Sequence, residues 1–143
     1  MKKICYVDTC IWLNIFKKEI GPSRAIPFWK SAQTAIHSAF SSHYEIMAST
    51  IILKELEYKV GKNFRDIQRL FKQIPIYLEK TKREDYDFAR ILEKKHSYCI
   101  GFCDCLHIAI AKRKNAVLIT RDKKLIEIAR RYIEVKKPES FVC

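Results

Sequence analysis

The sequence predicts one α/β domain, spanning residues 1–143, with a central, mostly parallel β-sheet flanked by helices on both faces. Two observations carry that expectation. Short apolar runs rich in β-branched residues alternate with longer stretches whose apolar residues recur every three or four positions, so strands alternate with helices. Such alternation implies right-handed crossovers and a parallel sheet covered on both sides. The chain also shows no internal repeat, low-complexity segment or linker, and its 143 residues suffice for one core.

Ile4 to Val7 is too short for a helix, contains Tyr6 and Val7, and reads as a strand buried on both faces. Asp8 ends it, and Ile11, Trp12, Ile15 and Phe16 follow at helical spacing until Lys17-Lys18-Glu19. Gly21-Pro22-Ser23 is a break. A second helix is expected from Pro27 to Phe40, with Phe28, Trp29, Ala32, Ile36 and Phe40 on one stripe. Tyr44 to Ala48 is a second strand, and Ser49-Thr50 caps a helix from Ile51 that carries Leu53, Leu56 and Val60 and ends at Gly61. Phe64 to Gln73 is a basic helix with Ile67, Leu70 and Phe71 inward. Pro75 to Leu78 is a short strand, placed at an edge by its proline. Asp85 to Lys95 is helical with Tyr86, Ala89, Ile91 and Leu92 apolar, while Glu84, Asp85 and Asp87 read as solvated surface. Gly101 breaks the chain before the apolar helix of Asp104 to Ala111, which Asn115 ends. Ala116 to Thr120 is the clearest strand. A helix from Lys124 to Arg131 and a last strand, Tyr132 to Val135, complete the pattern.

Apolar residues at 48% and charged residues at 31% exclude a disordered chain. The 28 Lys and Arg against 16 Asp and Glu, net +12, point to a polyanionic partner, nucleic acid foremost. Lys2 and Lys3 before an apolar run imitate a signal peptide, but Asp8 interrupts it. No uncharged run approaches the roughly 18 residues of a membrane span. A cytoplasmic protein with no membrane association is therefore expected, its 6 Cys reduced and mostly small core residues.

In so basic a chain, carboxylates beside apolar elements require a reason. Asp8 follows the first strand, Asp122 follows the strongest, Asp104 opens an apolar helix, and Glu55 lies early in the helix after the second strand. Parallel strands present their carboxyl ends together, so all four fall at one end of the sheet, where open α/β sheets bind ligands. Like charges held close raise one another's pKa values, so a cation must hold them, and hard Mg²⁺ or Mn²⁺ prefers carboxylate oxygens. Singly, each has an ordinary explanation: Asp8, Asp104 and Asp122 as caps or first-turn acids, Glu55 as an exposed helix residue in competition with Glu57.

The residues also carry a resemblance. Tyr6-Val7-Asp8-Thr9 resembles the first motif of PIN-domain ribonucleases, especially VapC-type toxins. Leu53 to Tyr58 with Gly61 is similar to the family's Glu helix and favours Glu55 over Glu57. Asp104 to Ala111 is similar to its third motif, and Leu118-Ile119-Thr120-Arg121-Asp122 to its fourth. The segment between Gly21 and His43 is longer than in compact toxins. The resemblance implies a PIN-like domain acting as a Mg²⁺- or Mn²⁺-dependent endoribonuclease on single-stranded RNA, a toxin neutralised by a small antitoxin, and a homodimer. It implies Asp8, Asp104 and Asp122 as metal ligands. Glu55 would be a ligand, directly or through water, or would orient the nucleophile. Thr9 and Thr120 would support them, and Arg121, Lys123, Lys112, Arg113 and Lys114 would contact phosphates. Two other readings stay open: a PIN nuclease of RNA processing without an antitoxin, and a non-catalytic basic module binding RNA or protein on the same fold.

His96, Cys99, Cys103, Cys105 and His107 crowd into twelve positions without matching a standard zinc spacing. Core packing of Cys103 and His107 on one helix face is the expectation, ahead of zinc or a Cys–His nucleophile.

Overall fold

A computed structural model describes residues 2–19, 21 and 26–141 of the chain. The expected break at Pro22-Ser23 lies outside the described residues, as does Cys143.

Strand β1 (Ile4–Val7) sits in the middle of a five-stranded, all-parallel sheet of order β3-β2-β1-β4-β5. Its neighbours are β2 (Glu45–Ser49) and β4 (Ala116–Ile119), in register Tyr6 with Met47 and Val7 with Ile119. All four residues of β4 are buried, as a strand covered on both faces requires. The edge strands are β3 (Ile76–Glu79), following Pro75 as expected, and β5 (Val135–Lys136).

The helices are α1 (Thr9–Phe16), α2 (Phe28–Ser41), α3 (Thr50–Val60), α4 (Phe64–Gln73), α5 (Arg83–Lys95), α6 (Phe102–Lys114) and α7 (Lys123–Ala129). Three of them start within a few residues of the strand that feeds them, each behind a capping side chain. Asp8 caps α1, Ser49 caps α3 through a 3.2 Å bond from the Ile52 amide, and Asp122 caps α7 through the Lys124 and Leu125 amides. Helix N-termini, with their partial positive charge, therefore gather where β1, β2 and β4 end. Gly61 at φ 57° ends α3, and Asn115 in the left-handed region at φ 52° ends α6.

The core runs across both faces of the sheet. Trp12, fully buried, packs on Phe71 at 4.8 Å between ring centroids and donates its indole N–H to the Val7 carbonyl. Burying a large apolar side chain of this kind contributes about 1.5–3 kcal/mol.

Four expectations need correction. Helix α2 turns Ala32, Ala35, Ile36 and Ala39 inward and leaves Phe28, Trp29 and Phe40 half-buried, because small residues let it lie close against α1. On α5, Ile91 and Tyr86 are exposed at 62% and 42%, while Ala89 and Leu92 are buried as expected. Asp85, expected on the surface, is 1% exposed because a guanidinium from α6 meets it, as described below. The last strand is Val135–Lys136 rather than Tyr132 to Val135: the amides of Tyr132 and Ile133 both bond back to Ala129 and finish the turn after α7.

Candidate acidic active site

Asp8 is 7% exposed, one residue beyond the central strand. Its Oδ1 accepts the Thr9 amide at 2.8 Å, and its Oδ2 accepts the Thr120 hydroxyl at 2.7 Å and the Cys10 thiol at 3.4 Å. Thr120 is fully buried at the end of β4 and also accepts the Asp122 amide through its hydroxyl at 3.2 Å. One hydroxyl thus fixes the carboxylate after β1 and the backbone leading to the acid after β4. Burial, and then the Asp8 charge, push the Cys10 thiol up to about 12, so it stays protonated as a donor.

Glu55 reaches the same place from α3. Its Oε1 accepts the Thr9 hydroxyl at 3.1 Å and His107 Nε2 at 2.7 Å. Burial alone would raise its pKa, but the hydrogen bond and charge of His107, with Thr9 and Lys59, hold it below the usual carboxylate value. His107 is fully buried and its Nε2 also lies 3.9 Å from Asp8 Oδ1. Burial pulls its pKa down. The bond to Glu55 and the charges of Asp8, Glu55 and Asp104 overcome that and raise it. The other ring nitrogen, Nδ1, meets the Tyr6 hydroxyl at 2.7 Å, which in turn meets Ser49 Oγ at 2.6 Å.

Asp104, in the first turn of α6, is half-buried and has no hydrogen bond or ion pair among the described residues. Burial raises its pKa to about 6; His107 opposes the rise, and Asp8, Asp122 and Glu55 add to it. The field of all three other acids reaches this one carboxylate. Asp122 is the exposed member, with Oδ1 on the two amides it caps.

Sequence reasoning missed His107 as part of this network. It is buried, as core packing predicts, but both nitrogens are committed to polar partners. The available signal was its position three residues after Asp104, on the same helical face. Cys103 is exposed rather than packed in the core.

The basic residues divide. Arg113 donates to Asp85 through Nε and Nη2 at 2.9 Å each and to Glu79 through Nη1 at 2.8 Å. Arg113 and its two neighbours lie eight to ten residues beyond Asp104, roughly 12–15 Å along the helix. Lys114 stands 3.5 Å from Glu79 and over the Tyr77 ring. Arg121 donates to Asn14 Oδ1 at 2.7 Å and to the Phe28 carbonyl at 3.2 Å, pairs with Glu139, and stacks on the Phe28 ring. Arg113, Lys114 and Arg121, expected to contact phosphates, are thus each engaged by partners within the chain. Lys112 and Lys123 are exposed, and only Lys123 adjoins the acids, next to Asp122.

The family profile described as PIN domain matches residues 5–131. The chain belongs to the PIN domain family. No curated protein matches it. Among solved structures, the PIN domain here is similar to a chain of VapBC2 from Rickettsia felis bound to a promoter DNA fragment (TM-score 0.71, 20% identity, 94% of this chain and 98% of that one). It is similar also to DNA-bound VapBC from Salmonella typhimurium (TM-score 0.68, 18% identity, 96% and 99% covered). A third is Mycobacterium tuberculosis VapC20, a toxin that cleaves the sarcin-ricin loop (TM-score 0.65, 17% identity, 92% and 98% covered). At these identities the likeness is one of fold.

The donor chemistry fits a hard divalent cation: four carboxylates, one of them without a hydrogen bond or ion pair among the described residues and with its pKa raised by burial and then by the other acids. Among the described residues no three His, Cys, Asp or Glu stand ready around one point. Mg²⁺ does not demand that, since it keeps several waters and takes one or two direct carboxylates. A thiolate or imidazole zinc site finds no support, because His107 is spent on Glu55 and Tyr6 and Cys10 is held protonated.

Proposed function

We propose that this PIN domain is a Mg²⁺- or Mn²⁺-dependent endoribonuclease of the VapC type, cutting single-stranded RNA and restrained by a small antitoxin. The observation that carries the reading is Asp104: a half-buried carboxylate raised to about 6 by burial and by three other acids against the opposing charge of His107, with no hydrogen bond or ion pair of its own among the described residues. Evolving such a charge deficit in a chain of net +12 has little sense unless something positive is meant to arrive there.

Asp8, Asp104 and Asp122 would hold the metal, which supplies an acidified water and positive charge opposite the departing oxygen. The chain's own groups do the rest. Thr120 fixes the rotamer of Asp8, and Thr9 with His107 fixes Glu55 through one oxygen. The second oxygen of Glu55 has no hydrogen bond among the described residues and is the one available to orient the attacking water or a metal-held one. Lys123 beside Asp122, and Lys59 one turn beyond Glu55 and exposed, are the cations placed to meet phosphates on either side. An antitoxin would relieve the same charge deficit by offering an Arg or Lys to the acids, and a small reading frame beside the gene would favour it over a role in RNA processing. A homodimer, expected from the resemblance, is tested by sedimentation.

Cleavage of a pool of labelled single-stranded RNAs by wild type and Asp8→Asn, each with Mg²⁺, Mn²⁺ and EDTA, tests the reading. Metal-dependent cleavage that the substitution abolishes while RNA binding persists is the expected result. Salt-sensitive RNA binding without cleavage, unchanged by Asp8→Asn, would favour the non-catalytic module that the net charge alone also permits.

A further inference from the structure

We propose that His107 is the positioning residue that holds Glu55 for phosphodiester hydrolysis, and that Tyr6 and Ser49 hold His107 in turn; the catalytic part of this rests on the nuclease reading above.

The geometry is continuous. Ser49 Oγ to Tyr6 Oη is 2.6 Å, Tyr6 Oη to His107 Nδ1 is 2.7 Å, and His107 Nε2 to Glu55 Oε1 is 2.7 Å. An ionised carboxylate only accepts, which assigns a proton to Nε2. In the neutral ring Nδ1 accepts from Tyr6 and Tyr6 accepts from Ser49; in the protonated ring, which the neighbouring acids favour, Nδ1 donates to Tyr6 and Tyr6 donates to Ser49, with Nε2 donating to Glu55 in both. Ser49 accepts the Ile52 amide at 3.2 Å. In either state the hydrogen bonds run unbroken from the start of α3 to the carboxylate on the same helix.

These bonds cross four elements. Tyr6 comes from the central strand, His107 from α6, Ser49 from the last residue of β2, where it caps α3, and Glu55 from the second turn of α3. Tyr6, Ser49 and His107 are each fully buried, so the relay is screened from water and its bonds are not traded for solvent ones. An imidazole is a poor choice for filling apolar space, where Leu or Ile would pack without needing two partners. Its value is reach: the ring spans from β1 to α3 and places a donor on Glu55 Oε1, the oxygen that also accepts from Thr9 at 3.1 Å. A glutamate has three rotatable side-chain bonds. Two donors on one oxygen select a single arrangement and leave the other oxygen unengaged among the described residues. Asp104, one turn earlier on α6, is delivered by the same helix, so His107 also sets the spacing between Glu55 and Asp104.

The test combines a kinetic cycle with a measurement that needs no activity. His107→Leu removes the donor at similar bulk; His107→Gln returns an N–H near the Nε2 position; Tyr6→Phe deletes only the middle link. Groups that orient catalytic carboxylates typically matter by about ten- to a hundredfold. His107→Leu is expected to lower kcat by about that much with KM for RNA unchanged, Gln to recover most of it, and Tyr6→Phe to cost about tenfold or less. In a Glu55→Gln background, His107→Leu should add nothing, because it acts through Glu55. An undiminished effect in that background, or a folded Gln variant as poor as Leu, overturns the proposal. Independently, the Nε2–H of His107 should appear as a slowly exchanging side-chain proton in ¹⁵N-labelled protein and be lost in Glu55→Ala. Its absence from wild type overturns the tether whatever the RNA assay shows. Its presence in a protein that cleaves no RNA in any metal keeps the tether but overturns the nuclease reading and the catalytic role with it.

Discussion

Two clusters of acids among the described residues are treated oppositely. Where α5, α6 and β3 meet, Asp85 and Glu79 are answered by Arg113, whose guanidinium makes paired hydrogen bonds to Asp85 and a third to Glu79. The Asp85 bonds, then Glu79, raise the Arg113 pKa. At Glu79 burial pushes upward, but Arg113, Tyr77 and Lys114 outweigh it and hold the carboxyl low. At the ends of β1 and β4, Asp8, Glu55, Asp104 and Asp122 share one imidazole and a set of hydroxyls and amides, and Asp104 is left at about 6. The fold can build a well-compensated ion cluster and does so about two and a half helical turns along α6 from Asp104. The incomplete compensation at the acidic end is thus a property of that end and not of the fold as a whole.

The comparison can be broken first at Asp8. Asp8→Asn should reduce metal-dependent RNA cleavage by more than the ten- to hundredfold typical of supporting groups, to background in a gel assay, while the melting temperature changes little. The opposite pattern belongs to Arg113: Arg113→Leu leaves two carboxylates without their cation and should lower the unfolding free energy by about 3 kcal/mol in urea titrations, with the m-value kept. Loss of cleavage without loss of stability in that variant would mean that the two clusters had been assigned the wrong way round.

Asp104 sharpens the contrast. Its folded pKa of about 6 lies above the unfolded value of ~3.9, so the folded chain retains the proton longer, and the metal-free protein loses stability as pH rises from about 4 to about 6. Asp104→Asn should therefore stabilise the EDTA-treated protein at pH 7, by up to about 3 kcal/mol and less as water screens the site, with the gain vanishing below about pH 4. Calorimetry across that range gives the answer, and an Asn variant less stable at pH 7 would contradict it. The smallest effect is expected at Lys59→Ala. Losing one phosphate contact should weaken RNA binding a few-fold and reduce the salt slope by roughly 0.7.

What the sequence made legible follows from how far apart the interacting groups lie. Strands β1 and β4 are continuous apolar runs whose ends mark themselves with Asp8 and Thr120, and the caps Ser49 and Asn115 are local signals, so the fold and the four acids could be read in order. The partners were not readable. Asp85 looks solvated until Arg113, 28 positions later, is placed on it. Arg121 looks free until Asn14, 107 positions earlier, accepts from it. His107 looks like core filling because its partners stand 52 and 101 positions away. On α2, the aromatic residues outweigh the alanines in any hydrophobic pattern, yet close packing on α1 selects the small side chains. Pattern shows which face is apolar, whereas the pairing of polar groups is settled by tertiary distance.

The central place of β1 has a consequence for biosynthesis. The strand that carries Asp8 is made first, but Thr120, which fixes its carboxylate, follows 112 positions later. At 5–20 residues per second that gap takes roughly 6–22 seconds to translate. A nascent chain cannot fix the Asp8 carboxylate through Thr120 during that interval, so on the nuclease reading proposed above the acidic site is completed only once β4 has been made.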